Sequence, residues 1–402
     1  MKRLIVLIIA ATLCGLAASA QEVSSDSSKG NVEVNATARF DANPYFPLTK
    51  EGGEYDFGFG NTSIYTFIDG EFGSGWFYSI SNHWLGVDWY KSCPEDKLSP
   101  LYTSSFYTNS NSWVDWALIG YSLETEKAGT WNFSLGKDMM AIGLSELEDN
   151  DVDCHYDISS KFWNNFAFYQ WGASIQWEAP NECSSIQLQL SSSPVQSSLY
   201  SENFAESRVW PFQDGKLAFA AKYREEREFW TGLMSVNLWS DYLLDEDGVI
   251  SNPKATDWWG GLALGEIFHF NDVTISLDGM IRGSSWKNPI QNSLFNAKVE
   301  YYHEDSQVSV FAKAGMDHYG YFSKEQPGYT LGFAGIGFHW YPIPDSQDLR
   351  LHAVLATSNH FDDPSSAAEE IFEDAAALKS FDSLSLSIGI TYNLGLHRFW
   401  QK

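Results

Sequence analysis

The stretch Trp131-Asn132-Phe133-Ser134-Leu135-Gly136-Lys137-Asp138-Met139-Met140-Ala141-Ile142-Gly143, with its return Gln170-Trp171-Gly172-Ala173-Ser174-Ile175-Gln176-Trp177-Glu178, decides the fold. In the return, Trp171, Ala173, Ile175 and Trp177 fall on one side, while Gln170, Gly172, Ser174, Gln176 and Glu178 fall on the other. A period of two makes both flanks β-strands. One face is too polar for a protein core and the other too apolar for water, which is the pattern of a strand between lipid and an aqueous lumen. Between the flanks, Glu146, Glu148, Asp149, Asp151, Asp153 and Asp157 crowd a segment with one base, Lys161. This acidic loop hangs at the mouth of a pore or folds into it.

The same template extends along the chain. It predicts strands over 32–41, 61–72, 75–85, 113–124, 130–139, 168–179, 184–193, 216–224, 229–239, 257–269, 272–282, 293–303, 306–316, 329–341, 348–358 and 383–394. The connections alternate strictly. Long ones occupy 42–60, 86–112, 140–167, 194–215, 240–256, 283–292, 317–328 and 359–382, and short turns lie between. Long loops at one end and short turns at the other predict an all-β, transmembrane antiparallel β-barrel of about 16 strands with both termini in the periplasm. A β-sandwich has no reason to obey that parity.

The ends and the composition fit this reading. Lys2 and Arg3, the apolar run Leu4–Leu16 and the small-x-small site Ala18-Ser19-Ala20 form a secretory signal peptide over 1–20. A short periplasmic tail is expected over 21–30, the barrel over 31–396, and a C-terminal extension over 397–402. Loss of Lys2 and Arg3 with the leader takes the net charge from −27 to −29, so nucleic acid would be repelled and is excluded as a partner. Aromatics are 16% of residues, with 17 Trp, while only 19% are charged, which suits girdles of rings at two membrane interfaces better than a soluble surface. Cys93, Cys154 and Cys183 remain in the mature chain, and both a Cys93–Cys154 bridge and three separate thiols are compatible with their spacing.

The segments Leu135–Gly143, Asp151-Val152-Asp153-Cys154-His155-Tyr156-Asp157 and Tyr169-Gln170-Trp171-Gly172 resemble the phosphate-selective porin O and P family, in particular a branch from anaerobic Gram-negative bacteria. The resemblance implies a sixteen-stranded outer-membrane porin, usually a trimer, with an inward-folded loop after the fifth strand. Outer-membrane lipid, lipopolysaccharide and small hydrophilic solutes are then its partners.

Two other readings weigh against a diffusion channel: a secreted soluble all-β glycan-binding protein whose rings stack on sugars, and a barrel serving adhesion or anchoring. The polar inner face and the loop parity disfavour the first. Asp149-x-Asp151-x-Asp153 begins like a calcium loop, but Cys154 stands where glycine is needed and no Glu closes it, so these are read as solvated acids. Nothing locates a nucleophile, a metal or a cofactor, and no enzyme is expected.

By facing, the lumen carries Arg39, Lys222, Arg224, Arg282, Lys298, Lys313 and Arg350 against Glu33, Asp69, Glu71, Asp115, Glu178, Asp278 and Glu300. Such a wall is near neutral and lacks the basic ladder that replaces an anion's hydration. The constriction is expected from Lys137, Asp138, Glu146, Glu148, Asp149, Asp151 and Asp153, and acidic loops at the mouth predict weak cation preference. Strict alternation points Lys137 to lipid, unless a bulge at Gly136 turns it inward.

Overall fold

The computed structural model describes residues 31–47, 55–58, 62–72, 75–85, 114–148, 158, 160, 168–194, 215–242, 255–284, 290–321, 329–344, 346–360 and 383–395. They form one antiparallel sheet of β1 (Asn31–Pro47), β2 (Asp56–Gly58), β3 (Ser63–Phe72), β4 (Trp76–Leu85), β5 (Val114–Thr125), β6 (Gly129–Met139), β7 (Tyr169–Glu178), β8 (Ser184–Ser192), β9 (Leu217–Arg227), β10 (Trp230–Tyr242), β11 (Thr256–Phe270), β12 (Val273–Ser284), β13 (Ile290–His303), β14 (Val308–Tyr321), β15 (Tyr329–Trp340), β16 (Leu349–His360) and β17 (Ser383–Gly395). β1 pairs with β17 on one side and β3 on the other, so the sheet closes into a 16-strand barrel, with the three-residue β2 as a short addition against Asn43–Tyr45. Closure gives every strand two hydrogen-bonded neighbours and leaves no edge, which a backbone in lipid requires.

Alternation then sorts the side chains. Along β10, Met234, Val236 and Leu238 are exposed on the outer surface while Leu233, Ser235, Asn237 and Trp239 are buried on the inner one. Along β11 the alternation is residue by residue from Thr256 to Gly265. Leu135, Leu190, Phe295 and Ile336 continue the apolar outer band on other strands. Toward the short-turn end, rings pair across strands, with Trp76 and Tyr121 at 5.3 Å and Trp131 and Trp177 at 6.4 Å between centroids. Amphipathic rings favour that height because one edge can stay wet.

Some boundaries differ from the periodicity. β1 runs on to Pro47 because Tyr45, Phe46 and Pro47 find partners in Ser385, Leu384 and Ser383 of β17, so part of the expected loop 42–60 is sheet. Asp241 and Tyr242, expected in a loop, end β10 opposite Asp257 and Thr256. The expected leader, the tail over 21–30 and the extension over 397–402 lie outside the described residues, as do Cys93 and Cys154. Cys183 is a free thiol whose Sγ donates to the Asn181 carbonyl at 3.2 Å.

Candidate functional site: a segment seated across the barrel interior

Beyond Met139 the chain does not continue upward. Ala141 is buried, and Met140, Ile142, Leu144 and Leu147, also buried, cluster with Ala218 of β9, Trp239 of β10, Trp259 and Ala263 of β11, Met280 of β12 and Leu294 of β13. All of these wall residues stand on the inner face, so the segment crosses the inside of the barrel. Trp239 and Trp259 form its floor as stacked rings 5.9 Å apart. Farther along, Ile158 packs with Phe311, Phe333, Val354 and Ala356 on the inner faces of β14, β15 and β16.

Polar groups fix the position. The Ala141 N–H donates to Gln189 Oε1 at 2.9 Å, Asn237 Nδ2 donates to the Ala141 carbonyl at 3.0 Å, and the Gly143 N–H donates to Ser235 Oγ at 2.9 Å. Gly143 lies so close to β10 that an added Cβ would stand 2.6 Å from the Met234 carbonyl carbon. A backbone that leaves a strand must find new partners for its N–H and C=O groups, and here β8 and β10 supply them.

The segment ends in a short helix, α1 (Ser145–Glu148). Its first N–H groups, which no helical turn can satisfy, donate to Asp278 of β12: Ser145 N to Oδ1 at 2.5 Å and Glu146 N to Oδ2 at 3.1 Å. Glu146 reaches Lys313 Nζ on β14 at 2.7 Å and also accepts from the Ser160 N–H at 2.8 Å and its hydroxyl at 2.7 Å. Burial opposes the charge on Glu146, while Lys313 and the Ser160 donors hold its carboxyl below the usual glutamate range. Glu148 pairs with Lys222 of β9 and lies 3.4 Å from Arg224 Nε. One helical turn therefore links β9, β12 and β14 through charge.

The other expected residues are placed as follows. Lys137 is only 4% exposed rather than spread on the lipid face, and its Nζ donates to the Val114 carbonyl at 2.6 Å; Gly136 before it has φ +146°. Asp138 accepts from the Met139 N–H at 2.7 Å. Asp149, Asp151 and Asp153 lie outside the described residues. Asp115 is buried where the β4–β5 register slips beside Ser81 and Asn82. Lys298 pairs with Glu300 at 2.8 Å and stands over the Phe311 ring, Arg350 donates to Thr391 Oγ1 at 3.2 Å, Arg282 is buried on β12, and Glu33 accepts from Asn35 at 3.2 Å.

Sequence reasoning missed a second cluster, on β1, β16 and β17. Asp41 is fully buried and accepts from Arg39 Nε at 3.0 Å and Ser387 Oγ at 2.6 Å, with His352 Nε2 at 2.9 Å. It also missed the inward acids Asp241, Asp257 and Asp317, all buried. No group of three or more His, Cys, Asp or Glu side chains among the described residues is arranged to hold a metal ion.

No protein family model matches the chain, and no curated protein matches it. Solved structures do. OmpT, an outer membrane protein of Vibrio cholerae, aligns at a TM-score of 0.56 and 8% identity over 92% of this chain and 99% of that one. The anion-selective porin from Comamonas acidovorans aligns at 0.55 and 10% identity, covering 91% and 100%. The outer membrane channel DcaP of Acinetobacter baumannii aligns at 0.54 and 11% identity, covering 91% and 97%. At such identities the likeness is one of architecture: the chain has the fold of the outer-membrane porins.

Proposed function

We propose that this chain is an outer-membrane porin, a passive diffusion channel for small hydrophilic solutes, narrowed by the segment after β6. The observation that carries this reading is the seat of Met140–Glu148 across the barrel interior, tied to β8, β10, β12 and β14 by hydrogen bonds and an ion pair. The constriction is formed by α1, which the buried Glu146–Lys313 pair holds against the wall, with Glu148 opposite Lys222 and Arg224, and Asp149, Asp151 and Asp153 follow in the same acidic run.

On this reading residues 1–20 are a signal peptide, 21–30 a periplasmic tail and 397–402 a C-terminal extension beyond the barrel. The likeness of Leu135–Gly143 to the phosphate-selective porin O and P family favours membership of that family and a homotrimer, and OmpT of Vibrio cholerae is itself recorded in a trimer form. The pore prefers cations weakly, in contrast to the family's name, and catalyses nothing.

Single-channel recording of the purified protein in a planar bilayer tests the reading. Stepwise conductance is expected, and deletion of Glu146–Asp157 should raise the step size. Recovery of the protein in the soluble fraction, or an unchanged step after the deletion, would sink it.

A further inference from the structure

Glu266 stands on the wrong face of the barrel. On β11 it follows Leu262 and Leu264 on the apolar outer surface, and its cross-strand partners there are Gly232 of β10 and Leu277 of β12. Lipid penalises an outward charge in a depth-dependent way, so a carboxylate persists there only near an interface and with partners. Among the described residues its donor is the indole Nε1 of Trp230. That indole covers Gly232, where an added Cβ would meet the ring at 2.3 Å, and it stays half-buried on the outer side of β10.

The surroundings complete a two-charge site. Gly232 pairs with Glu266 on one side and Glu225 on the other, and Trp230 pairs directly with Arg227 of β9. Glu225 is occupied, accepting from Tyr223 Oη at 2.7 Å and Arg227 Nε at 2.8 Å. Arg227 keeps 54% of its side chain exposed. A carboxylate with one oxygen engaged by an N–H, on β11, and an exposed guanidinium, on β9, thus flank the Trp230 ring from the two strands that neighbour β10. They lie at the short-turn end, which in an outer-membrane barrel meets the inner leaflet.

We infer that this patch on β9–β11 binds a phospholipid with a primary ammonium headgroup, phosphatidylethanolamine. The ammonium sits on the Trp230 ring and donates to Glu266, and the phosphate lies against Arg227. A divalent ion fits worse, because calcium takes six or more oxygens and this patch offers one carboxylate beside an N–H donor. A choline headgroup has no N–H to donate to the carboxylate.

Native mass spectrometry of the purified protein tests this in micelles holding equal amounts of phosphatidylethanolamine, phosphatidylcholine and phosphatidylglycerol with identical acyl chains. A retained phosphatidylethanolamine is expected at least ten-fold more often than either competitor, insensitive to EDTA, and reduced at least ten-fold in Glu266→Gln. Trp230→Phe, which removes the donor and weakens the ring, should reduce it as well, and the heat-dependent gel shift of each variant reports whether its barrel has formed. Equal retention by folded wild type and Glu266→Gln, no headgroup preference, or loss of the adduct with EDTA would each overturn the assignment.

Discussion

The Glu146 carboxylate on α1 sits 2.7 Å from the Nζ of Lys313 on β14, and both side chains are closed off from solvent. Removing one partner of a buried pair leaves an uncompensated charge, at a cost of about 3 to 5 kcal/mol. Lys313→Met should therefore release α1 from the far wall and raise single-channel conductance. Adding Glu146→Leu should bring it back toward the wild-type step, because an apolar pair of similar volume needs no counter-charge. Equal conductance in all three proteins would mean the pair does not hold the segment.

The same carboxyl gives the docked segment a pH dependence. Its folded pKa is below the ordinary value, so its contribution is fully present above the unfolded pKa of about 4.3 and is lost as pH falls through the folded value. Conductance should stay flat from neutral pH down to about 5 and rise only in stronger acid. In Glu146→Gln the acid step should vanish. A step near neutral pH in the wild type would assign the transition to some other group.

Gly143 makes a steric prediction. A Cβ there would meet backbone atoms of Met234 and Ser235 at 2.6 to 2.8 Å, and backbone cannot move aside as a flexible side chain does. Gly143→Ala should cost about 1 to 3 kcal/mol of docking by overpacking and widen the pore. Gly260→Ala, on the outer face of β11 with nothing within 4 Å of its added carbon, should leave conductance as it was.

Facing can be tested apart from the pore. Val236 is 54% exposed on the outer surface of β10, and Asn237 beside it is buried inside. Val236→Arg should cost about 2 to 4 kcal/mol in the bilayer and lower the folded fraction on unheated gels. Asn237→Ala removes the donor to the Ala141 carbonyl and the acceptor of the Ser235 hydroxyl, both inside the barrel, and should assemble normally while conducting more.

The barrel was legible because its period is two and its loops alternate in length, and both survive without knowledge of any contact. Alternation alone left the loop after Met139 either at the mouth or inside, and the resemblance favoured the inside, although a trace of the seat of Met140–Glu148 was present on the wall. Trp239, Ala263, Met280, Leu294 and Phe311 are apolar residues at inward positions, where a plain aqueous lumen calls for polar ones. Alternation treats such breaks as noise, whereas each one marks the footprint of chain crossing the interior. Lys137 was left between two facings for a related reason: regular alternation holds only while φ is regular, and Gly136 at +146° precedes a buried lysine that folds onto the Val114 carbonyl. Asp41 was passed over because Arg39, two residues earlier on the same face, is its partner, and neither Ser387 nor His352 is near it in sequence.

Selectivity follows from which wall charges are already matched. Arg39 is tied to Asp41, Lys222 and Arg224 to Glu148, Lys298 to Glu300 and Lys313 to Glu146. Five of the seven bases expected along the lumen thus have a carboxylate at contact distance, and Asp241, Asp257 and Asp317 are buried on the inner faces of β10, β11 and β14. Counted by sequence, Glu146, Glu148, Asp149, Asp151 and Asp153 outnumber Lys313, Lys222 and Arg224 in the proposed constriction, and a low-dielectric wall would strengthen that field on a passing ion. Under a KCl gradient the reversal potential should carry the sign of potassium permeability, and phosphate should not block the current. Glu148→Gln removes the acid that holds both Lys222 and Arg224, so it should move the reversal potential toward chloride, whereas Glu33→Gln at the exposed end of β1 should not. An anion-selective wild-type potential with phosphate block would reverse the assignment, and a Glu148→Gln pore with the wild-type potential would place the selectivity elsewhere on the wall.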